Sequence, residues 1–263
     1  MSHIIGKRVF ASVLGYEKRL QIYLPDDLSD EKPIPLIIMH DGHNLFDPET
    51  AAFGVTWEAK TALDQLAQTG HPMIVVGIEA DPDRRFDEYA PWESTTLPQL
   101  MPWLGDRIYG GKGADYIKWI VEELMPDIQA SYPIDPSCIS LAGSSMGGYI
   151  SLYGGFKYPD VFSHVGCFSP AVWFNETRLS DFIQTHFASH LALYLDMGTD
   201  ETSNPEVDDF PRIYLDGYVH VRSLLMRMGS ERLMAMTFQH HTHSETMWAK
   251  RFPLFLSWLN DNR

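Results

Sequence analysis

The stretch CISLAGSSMGGYISLY, residues 138–153, decides how this chain should fold. Its first five residues are mostly apolar and predict a buried strand, and the segment after Gly148 predicts the start of a helix. Ser145 lies between them, with Gly143 and Gly147 two residues away on either side. A serine on such a sharp strand-to-helix turn exposes its hydroxyl, and glycine is needed where side chains would collide. We therefore predict that Ser145 is a nucleophile, against the plainer alternative of a solvated serine in a glycine-rich turn.

Other apolar runs along the chain have the same character as the strand before Ser145. Continuous runs of this kind are typical of strands buried on both faces of a mostly parallel sheet. Helical patterns separate them, so the order of elements predicts an α/β fold with helices on both faces of the sheet. Pro126 and Pro253 fall inside two of the helical patterns, where we expect a kink or a helix start. The six predicted buried strands are residues 36–39, 73–78, 138–142, 164–168, 191–195 and 233–238.

Two segments near the N-terminus instead alternate polar and apolar residues. Residues 8–14 and 19–24 predict an antiparallel hairpin that turns at Gly15. No repeat or linker divides the sequence, so we expect one domain spanning residues 1–263. Residues 81–113 are rich in proline and glycine and predict a long loop, either a cap or lid over the site or a packed surface excursion.

The composition excludes some classes of protein. A net charge of −15 and a pI of about 5.0 argue against binding to nucleic acid, whose phosphates would be repelled. No window is apolar enough to cross a bilayer and no signal peptide is evident, so we expect a cytoplasmic protein without a membrane partner. Cys138 and Cys167 lie in apolar runs and are interpreted as small core side chains rather than a disulfide or a metal site.

A nucleophilic serine needs a histidine base, and His240, His241 and His243 follow the last predicted strand. In proteins with this strand–serine–helix turn, the order along the chain is serine, acid, then histidine. We favour His243 because it lies in the turn that enters the last helix, with His241 as the alternative. Thr242 stands three residues before Glu245, which is the spacing of a capping box, so we predict it as the N-cap of that helix. A zinc site on His241 and His243 would lack a third ligand, so we expect no metal.

Three carboxylates are candidates for the acid that orients the histidine. Asp196 belongs to the preceding strand and would cap it, whereas Asp200 and Glu201 follow a glycine turn and can reach the histidine loop. The residues alone do not choose between Asp200 and Glu201. The reaction also needs two N–H donors for the developing oxyanion. One is expected on the backbone of Met146, and the second in the loop at residues 40–46.

Seven segments spread over most of the chain form a more specific pattern than any one motif. They are residues 40–46, 83–89, 122–126, 143–148, 168–170 with Trp173, 198–201, and 243–245 with Trp248. Together they resemble the putative-esterase family of α/β hydrolases, which includes esterase D and the feruloyl and siderophore esterases. The resemblance implies an α/β-hydrolase fold without a metal or organic cofactor, and it selects Glu201 as the acid with Asp200 in reserve. It also implies that His243 is the base and that the backbones of His43 and Met146 form the oxyanion hole.

These features predict a serine carboxylesterase that hydrolyses a small-molecule ester through an acyl-enzyme on Ser145. An acyltransferase or a thioesterase with the same three residues is the alternative. A non-catalytic binding module on the same fold comes third, because serine, acid and histidine all occur in the expected order. The acyl group, the alcohol and the oligomeric state are left open, a homo-oligomer being one option.

Overall fold

One eight-stranded sheet, in the order β1-β2-β4-β3-β5-β6-β7-β8, forms the centre of the protein. The structure is a computed structural model that describes residues 1–26, 28, 32–94 and 96–263. The strands are β1 (His3–Ala11), β2 (Tyr16–Leu24), β3 (Ile34–His40), β4 (Ile74–Ile78), β5 (Ile134–Ser144), β6 (His164–Phe168), β7 (Ala192–Asp200) and β8 (Leu233–Thr242). β2 pairs antiparallel with β1 and with β4, and the remaining neighbours are parallel. The predicted mostly parallel sheet with an N-terminal hairpin is confirmed.

Helices cover both faces of the sheet, as the alternation of strands and helices predicts. They are α1 (Ala59–Gln68), α2 (Arg85–Glu88), α3 (Leu97–Leu100), α4 (Gly113–Trp119), α5 (Met125–Ser131), α6 (Met146–Lys157), α7 (Glu176–Thr185), α8 (Phe210–Arg227) and α9 (Glu245–Asp261). Ile38 and Met39 are neighbours on β3 but point to opposite faces, because side chains alternate along a strand. Met39 belongs to the core layer formed with α1 and α9, and Ile38 to the layer formed with α4 to α8.

The two prolines inside helical patterns lie at a helix start and in a helix interior. Pro126 is in the first turn of α5, directly after a π-helical segment at Ile120–Leu124 that joins α4 to α5. A proline is tolerated there because the altered hydrogen bonding of the π-helical turn accommodates its missing N–H. Pro253 lies inside α9, which continues to Asp261.

The last strand differs from the prediction in burial and in length. The apolar run at 233–238 predicts a strand buried on both faces, but β8 is an edge strand with half-buried or exposed residues. The prediction of burial on both faces is wrong because β8 lies at the edge of the sheet and has one neighbouring strand. The order of the strands puts it there, and the local apolar run does not specify that order. β8 also continues to Thr242, which pairs with Asp200, so Thr242 is not the helix N-cap. Ser244 occupies that position before Glu245, without a capping hydrogen bond from its side chain.

The excursion at residues 81–113 contains α2, α3 and a 3₁₀ turn rather than an unstructured loop. Within this excursion, the carboxylate of Asp87 accepts a hydrogen bond from Arg107, which links two parts of the segment. Phe86 and Met101 of this excursion line the pocket described below. The segment therefore forms one wall of that pocket.

Both cysteines have the environment predicted for core side chains. Cys138 and Cys167 are free and buried, and burial raises the pKa of both thiols. Neither is therefore a reactive thiolate at neutral pH. In the described ranges of the chain, no helix is both long enough and apolar enough to cross a membrane.

Candidate active site

Ser145 stands at the turn between β5 and α6, as its flanking sequence predicts. Its backbone has φ 56° and ψ −121°, a strained conformation for a residue with a side chain. The turn is so tight that a Cβ on Gly143 would lie 2.9 Å from the carbonyl carbon of Gly147. Ser145 follows the C-terminal end of a central parallel strand, and it lines a pocket there.

Two backbone N–H groups near Ser145 have no carbonyl partner in the part of the chain that the structure describes. Met146 is the first residue of α6, and the N–H groups of a first helical turn have no intrahelical acceptor. His43 lies in a 3₁₀ turn, Gly42–Asn44, directly after β3. Both residues line the same pocket as Ser145, which is where the donors of an oxyanion hole would have to lie.

The turn that carries His43 is held by an ion pair. Arg85 donates to both carboxylate oxygens of Asp41, at 2.8 Å each, and the backbone N–H of Asp41 donates to the hydroxyl of Tyr89 at 3.0 Å. Burial would raise the pKa of Asp41, but the guanidinium of Arg85 lowers it below the ordinary value, so the carboxylate is charged. Asp41 itself has φ 55°, and Gly42 packs so closely on the backbone of β4 that no side chain would fit. The position of the His43 N–H is therefore tightly constrained.

Glu201 and His243 meet at the ends of β7 and β8. Nδ1 of His243 is 2.7 Å from Oε2 of Glu201, and since a carboxylate only accepts, Nδ1 carries the proton. Glu201 is fully buried, whereas the side chain of Asp200 is 48% exposed and contacts His240. The structure thus joins the predicted base to Glu201 and not to the reserve acid. His240 and His241 lie within β8 rather than after it, which corrects the predicted end of that strand.

Three donors hold the other carboxylate oxygen of Glu201. Oε1 accepts from the Ser169 hydroxyl at 2.5 Å, from the Gly198 N–H at 2.9 Å and from Nη2 of Arg251 at 3.3 Å. Burial would raise the pKa of Glu201, but the hydrogen bond with His243 and the charge of Arg251 lower it to about 2. The carboxylate is therefore ionised at neutral pH and can stabilise an imidazolium.

Arg251 is a residue of the site that the sequence analysis missed. Its side chain is 1% exposed, and its guanidinium joins Asp196, at 2.9 Å, to Glu201. Burial raises the pKa of Asp196 to about 7, against the opposing effects of Arg251 and the Tyr194 hydroxyl. The sequence feature that could have identified Arg251 is its place as a charged residue on the apolar face of the last helical pattern, three residues after Trp248.

No hydrogen bond joins Ser145 to His243 within the described residues. The group hydrogen-bonded to Nε2 of His243 is instead the Tyr214 hydroxyl, at 3.3 Å. Tyr214 is buried and comes from α8, which begins at Phe210, whereas the helical pattern in the sequence begins only at Tyr218, so the sequence analysis missed Tyr214. Hydrogen bonds between a catalytic nucleophile and its base are often long in enzymes without substrate, and they tighten in the complex.

The pocket beside Ser145 has a volume of about 420 Å³, which suits a small organic molecule. Large apolar side chains form much of its wall, namely Phe53, Phe86, Met101, Trp173 and Trp248. Charged and polar groups form the remainder, among them Asp41, His43, Arg85, Ser203 and Glu245. Among the residues that the structure describes, no group of three or more His, Cys, Asp or Glu side chains could hold a metal ion.

Comparison with protein families agrees with this geometry. The family model described as "Putative esterase" matches residues 11–259. The chain belongs to this esterase family. Membership confirms the predicted family and the prediction of a carboxylic ester hydrolase, while the catalytic roles of individual residues stay predictions.

Several known proteins are similar to this esterase. The uncharacterized protein YbbA of Bacillus subtilis is 26% identical over 249 residues, which cover 92% of either chain. The iron(III) salmochelin esterase of Escherichia coli is 29% identical over 173 residues, covering 64% of this chain and 36% of its own. An IroE-like serine hydrolase of Shewanella oneidensis, with 19% identity, superposes with a TM-score of 0.78 over 98% of this chain and 79% of its own. The structural likeness confirms the α/β-hydrolase fold.

Proposed function

We propose that this esterase is a serine carboxylesterase, which cleaves carboxylic esters through an acyl-enzyme on Ser145. The observation that carries the proposal is the content of one pocket. It contains a serine on a strained turn, two backbone N–H groups without a carbonyl partner in the described part of the chain, and a histidine that is hydrogen-bonded to a buried carboxylate at 2.7 Å. These are the parts that acyl transfer requires, namely a nucleophile, an oxyanion hole, a base and an orienting acid.

In the first half of the proposed reaction, Oγ of Ser145 attacks the ester carbonyl carbon while its proton moves to Nε2 of His243. The N–H groups of Met146 and His43 stabilise the negative charge on the carbonyl oxygen. The bond between the carbonyl carbon and the alcohol oxygen then breaks, and the leaving oxygen takes the proton from Nε2. Glu201 remains charged and stabilises the imidazolium in the meantime.

In the second half, water attacks the acyl-enzyme and gives one proton to Nε2 of His243. The bond between the acyl carbon and Oγ of Ser145 breaks, Oγ takes the proton back, and the carboxylic acid leaves. No step needs a group beyond the side chains and backbone already described.

The pocket favours a compact ester without negative charge. Its wall is largely apolar, and Arg85, which lines it, is already bound to Asp41. The overall charge of −15 repels anionic molecules at longer range. Because a relative is named as a salmochelin esterase, siderophore esters belong in the substrate panel beside acetyl, butyryl and feruloyl esters.

The test is the loss of activity in two single variants. Ser145→Ala and His243→Ala should each lower turnover of a p-nitrophenyl ester at least about a thousandfold without unfolding the protein, since the two residues act as a unit. A phosphonate should label the wild type once, at Ser145. Near-normal turnover in Ser145→Ala, or labelling at another residue, would reject the proposal. If His241→Ala is the damaging change instead, the base is misassigned.

Hydrolysis and acyl transfer are separated by the products. The acyl group should go to water even when an alcohol is added at millimolar concentration. Preferential formation of a new ester or thioester would identify an acyltransferase with the same machinery.

A further inference from the structure

The carboxylate of Glu245 lines the same pocket as Ser145 and His243, and no step of the proposed reaction uses it. Glu245 is the first residue of α9, two positions after His243, and it is only 7% exposed. Its Oε1 accepts a hydrogen bond from the side-chain amide of Asn44 at 3.2 Å. Oε2 keeps some accessible surface and has no partner in another residue within the described ranges. A nearly buried carboxylate oxygen is therefore left open on the pocket wall.

The charge of Glu245 has no balancing cation among the described residues of the pocket wall. Asp41 and Arg85 form an ion pair with each other. His243 pairs with Glu201. Burial raises the pKa of Glu245, and the nearby charge of Asp41 adds to the rise, which is the direction expected of a carboxylate without a cationic partner. Buried charges are normally paired, and a cation on the substrate would supply the missing partner.

Asn44 fixes the position of this carboxylate. While its Nδ2 donates to Glu245, its Oδ1 accepts from the backbone N–H of Ala52 at 2.9 Å. Its own backbone N–H donates to the carbonyl of Asp41, also at 2.9 Å. Asn44 directly follows His43, so the carboxylate is tied to the turn that carries a proposed oxyanion donor. A group that is already held in this way loses little further freedom when a ligand binds to it.

Aromatic side chains line the pocket together with Glu245. Trp248 follows three residues later on the same side of α9. Phe53 lines the pocket as well, although 77% of its side chain is exposed. Aromatic rings attract organic cations, whereas a hard metal ion needs several oxygen ligands. One carboxylate among aromatic rings is therefore suited to an alkylammonium group.

We propose that Glu245 binds a protonated amine of the ester, so that the substrates are compact cationic esters, an inference that rests on the proposed function of Ser145. The ammonium group donates to Oε2 of Glu245 while the ester carbonyl is held at Ser145. The net charge of −15 acts in the same direction, because it attracts cations to the protein. The amine belongs either to the acyl group or to the alcohol, and the substrates of the test separate these two cases.

Two pairs of esters test the charge at nearly constant shape. β-Alanine ethyl ester and ethyl butyrate differ in the acyl group, and 2-(dimethylamino)ethyl acetate and 3-methylbutyl acetate differ in the alcohol. In each pair, the first ester has a protonated nitrogen at neutral pH where the second has a carbon. An amine also changes the intrinsic reactivity of an ester. The measured quantity is therefore the change that Glu245→Gln causes in the ratio of the two kcat/KM values of a pair.

Glu245→Gln should lower kcat/KM for the cationic ester of at least one pair by about 10- to 100-fold, the value of a hydrogen bond to a charged group. For the neutral ester of that pair, kcat/KM should change by less than about threefold. Glutamine keeps the shape of the side chain, and its oxygen can still accept from Asn44. The pair that responds identifies the part of the ester that carries the amine.

The matched control is Glu49→Gln, which removes the same charge from an exposed side chain outside the pocket wall. It should change the ratio within either pair by less than about twofold. The wild type provides a second test if Glu245→Gln does not fold. n-Butylammonium should inhibit the hydrolysis of p-nitrophenyl acetate competitively, at a concentration at least about tenfold lower than butyronitrile, a neutral molecule of similar size.

Equal losses on both esters of each pair in Glu245→Gln would overturn the inference, because a structural role at the start of α9 does not distinguish a cation from a carbon. Unchanged ratios in both pairs, or equal inhibition by n-butylammonium and butyronitrile, would overturn it as well.

Ser145→Ala separates this failure from failure of the proposed function. If that variant is inactive on all four esters while the ratios do not respond to Glu245→Gln, the serine mechanism stands and only the role of Glu245 is lost. If Ser145→Ala stays active, the proposed function itself fails.

Discussion

The substitution Glu201→Gln tests how the buried acid acts on the base. Three donors surround Oε1 of Glu201, and the histidine donates to Oε2. A glutamine at this position must put its oxygen where the donors converge, because its NH₂ group would face the Gly198 N–H and the guanidinium of Arg251. The NH₂ group is then left facing Nδ1 of His243.

That orientation forces the histidine into the wrong tautomer. Nδ1 of His243 must accept from the amide, so the proton moves to Nε2, which can no longer take the proton of Ser145. The loss of charge also removes the stabilisation of the imidazolium. Together these effects should lower kcat by about three to four orders of magnitude. The free energy of unfolding should fall by about 1–3 kcal/mol, because the hydrogen bond with Arg251 loses one of its charges.

The assay is steady-state hydrolysis of one chromogenic ester, with unfolding curves for each variant. Asp200→Asn is the control, since this side chain is 48% exposed and its hydrogen-bond partners among the described residues are Thr199 and His240. It should change turnover by less than about tenfold. Near-normal turnover in Glu201→Gln would refute the tautomer argument. A severe defect in Asp200→Asn beside a mild one in Glu201→Gln would move the acid to Asp200.

Two further variants probe the groups packed around Glu201. The pKa of Asp196 in the folded protein is about 7, above the ordinary value of 3.8. The folded state therefore holds this proton more tightly than the unfolded state. The free energy of unfolding of the wild type should fall as the pH rises from 3.8 to about 7, by up to about 1.4 kcal/mol per pH unit. Urea unfolding from pH 5 to 8 should show this slope in the wild type and not in Asp196→Asn, and equal slopes would contradict the assignment. Gly198→Ala should lower stability by about 1–3 kcal/mol and also lower turnover, because a Cβ would overlap the His241 carbonyl oxygen and lie 2.6 Å from Oε1 of Glu201. Unfolding curves and kcat check this, and normal values of both would show that the end of β7 relaxes freely.

Local signals were enough to predict the strand–serine–helix turn and the type of sheet. The strand, the serine turn and the helix around Ser145 are contiguous in sequence, so their pattern identifies the turn without knowledge of the remaining chain. The buried parallel strands are equally visible, because burial on both faces requires continuous apolar residues wherever the strand lies in the sheet. The free cysteines, Cys138 and Cys167, follow from the same local pattern.

The residues by themselves did not separate Asp200 from Glu201. The family resemblance selected Glu201, and the register of two strands supplies the physical reason. The pairing of β7 with β8 shifts between Gly198 and Asp200, and Asp200 is paired with Thr242. This irregularity leaves Asp200 on the exposed side and turns Glu201 into the core, where it meets His243. Sequence spacing alone does not contain the shift, so adjacent carboxylates look equivalent until the partner strand is in place.

Local patterns along the chain were sufficient to predict the parallel α/β sheet, the turn at Ser145 and the small set of candidate partners. Only the packing of the elements makes β8 an edge strand, joins Arg251 to two buried carboxylates and brings Tyr214 to His243. The physical reason is that hydrophobic periodicity specifies which face of an element is buried, but not which other element covers that face. Tyr214 lies on α8 and Arg251 on α9, and each acquires its partners only when its helix docks beside strand ends that are tens of residues away in sequence.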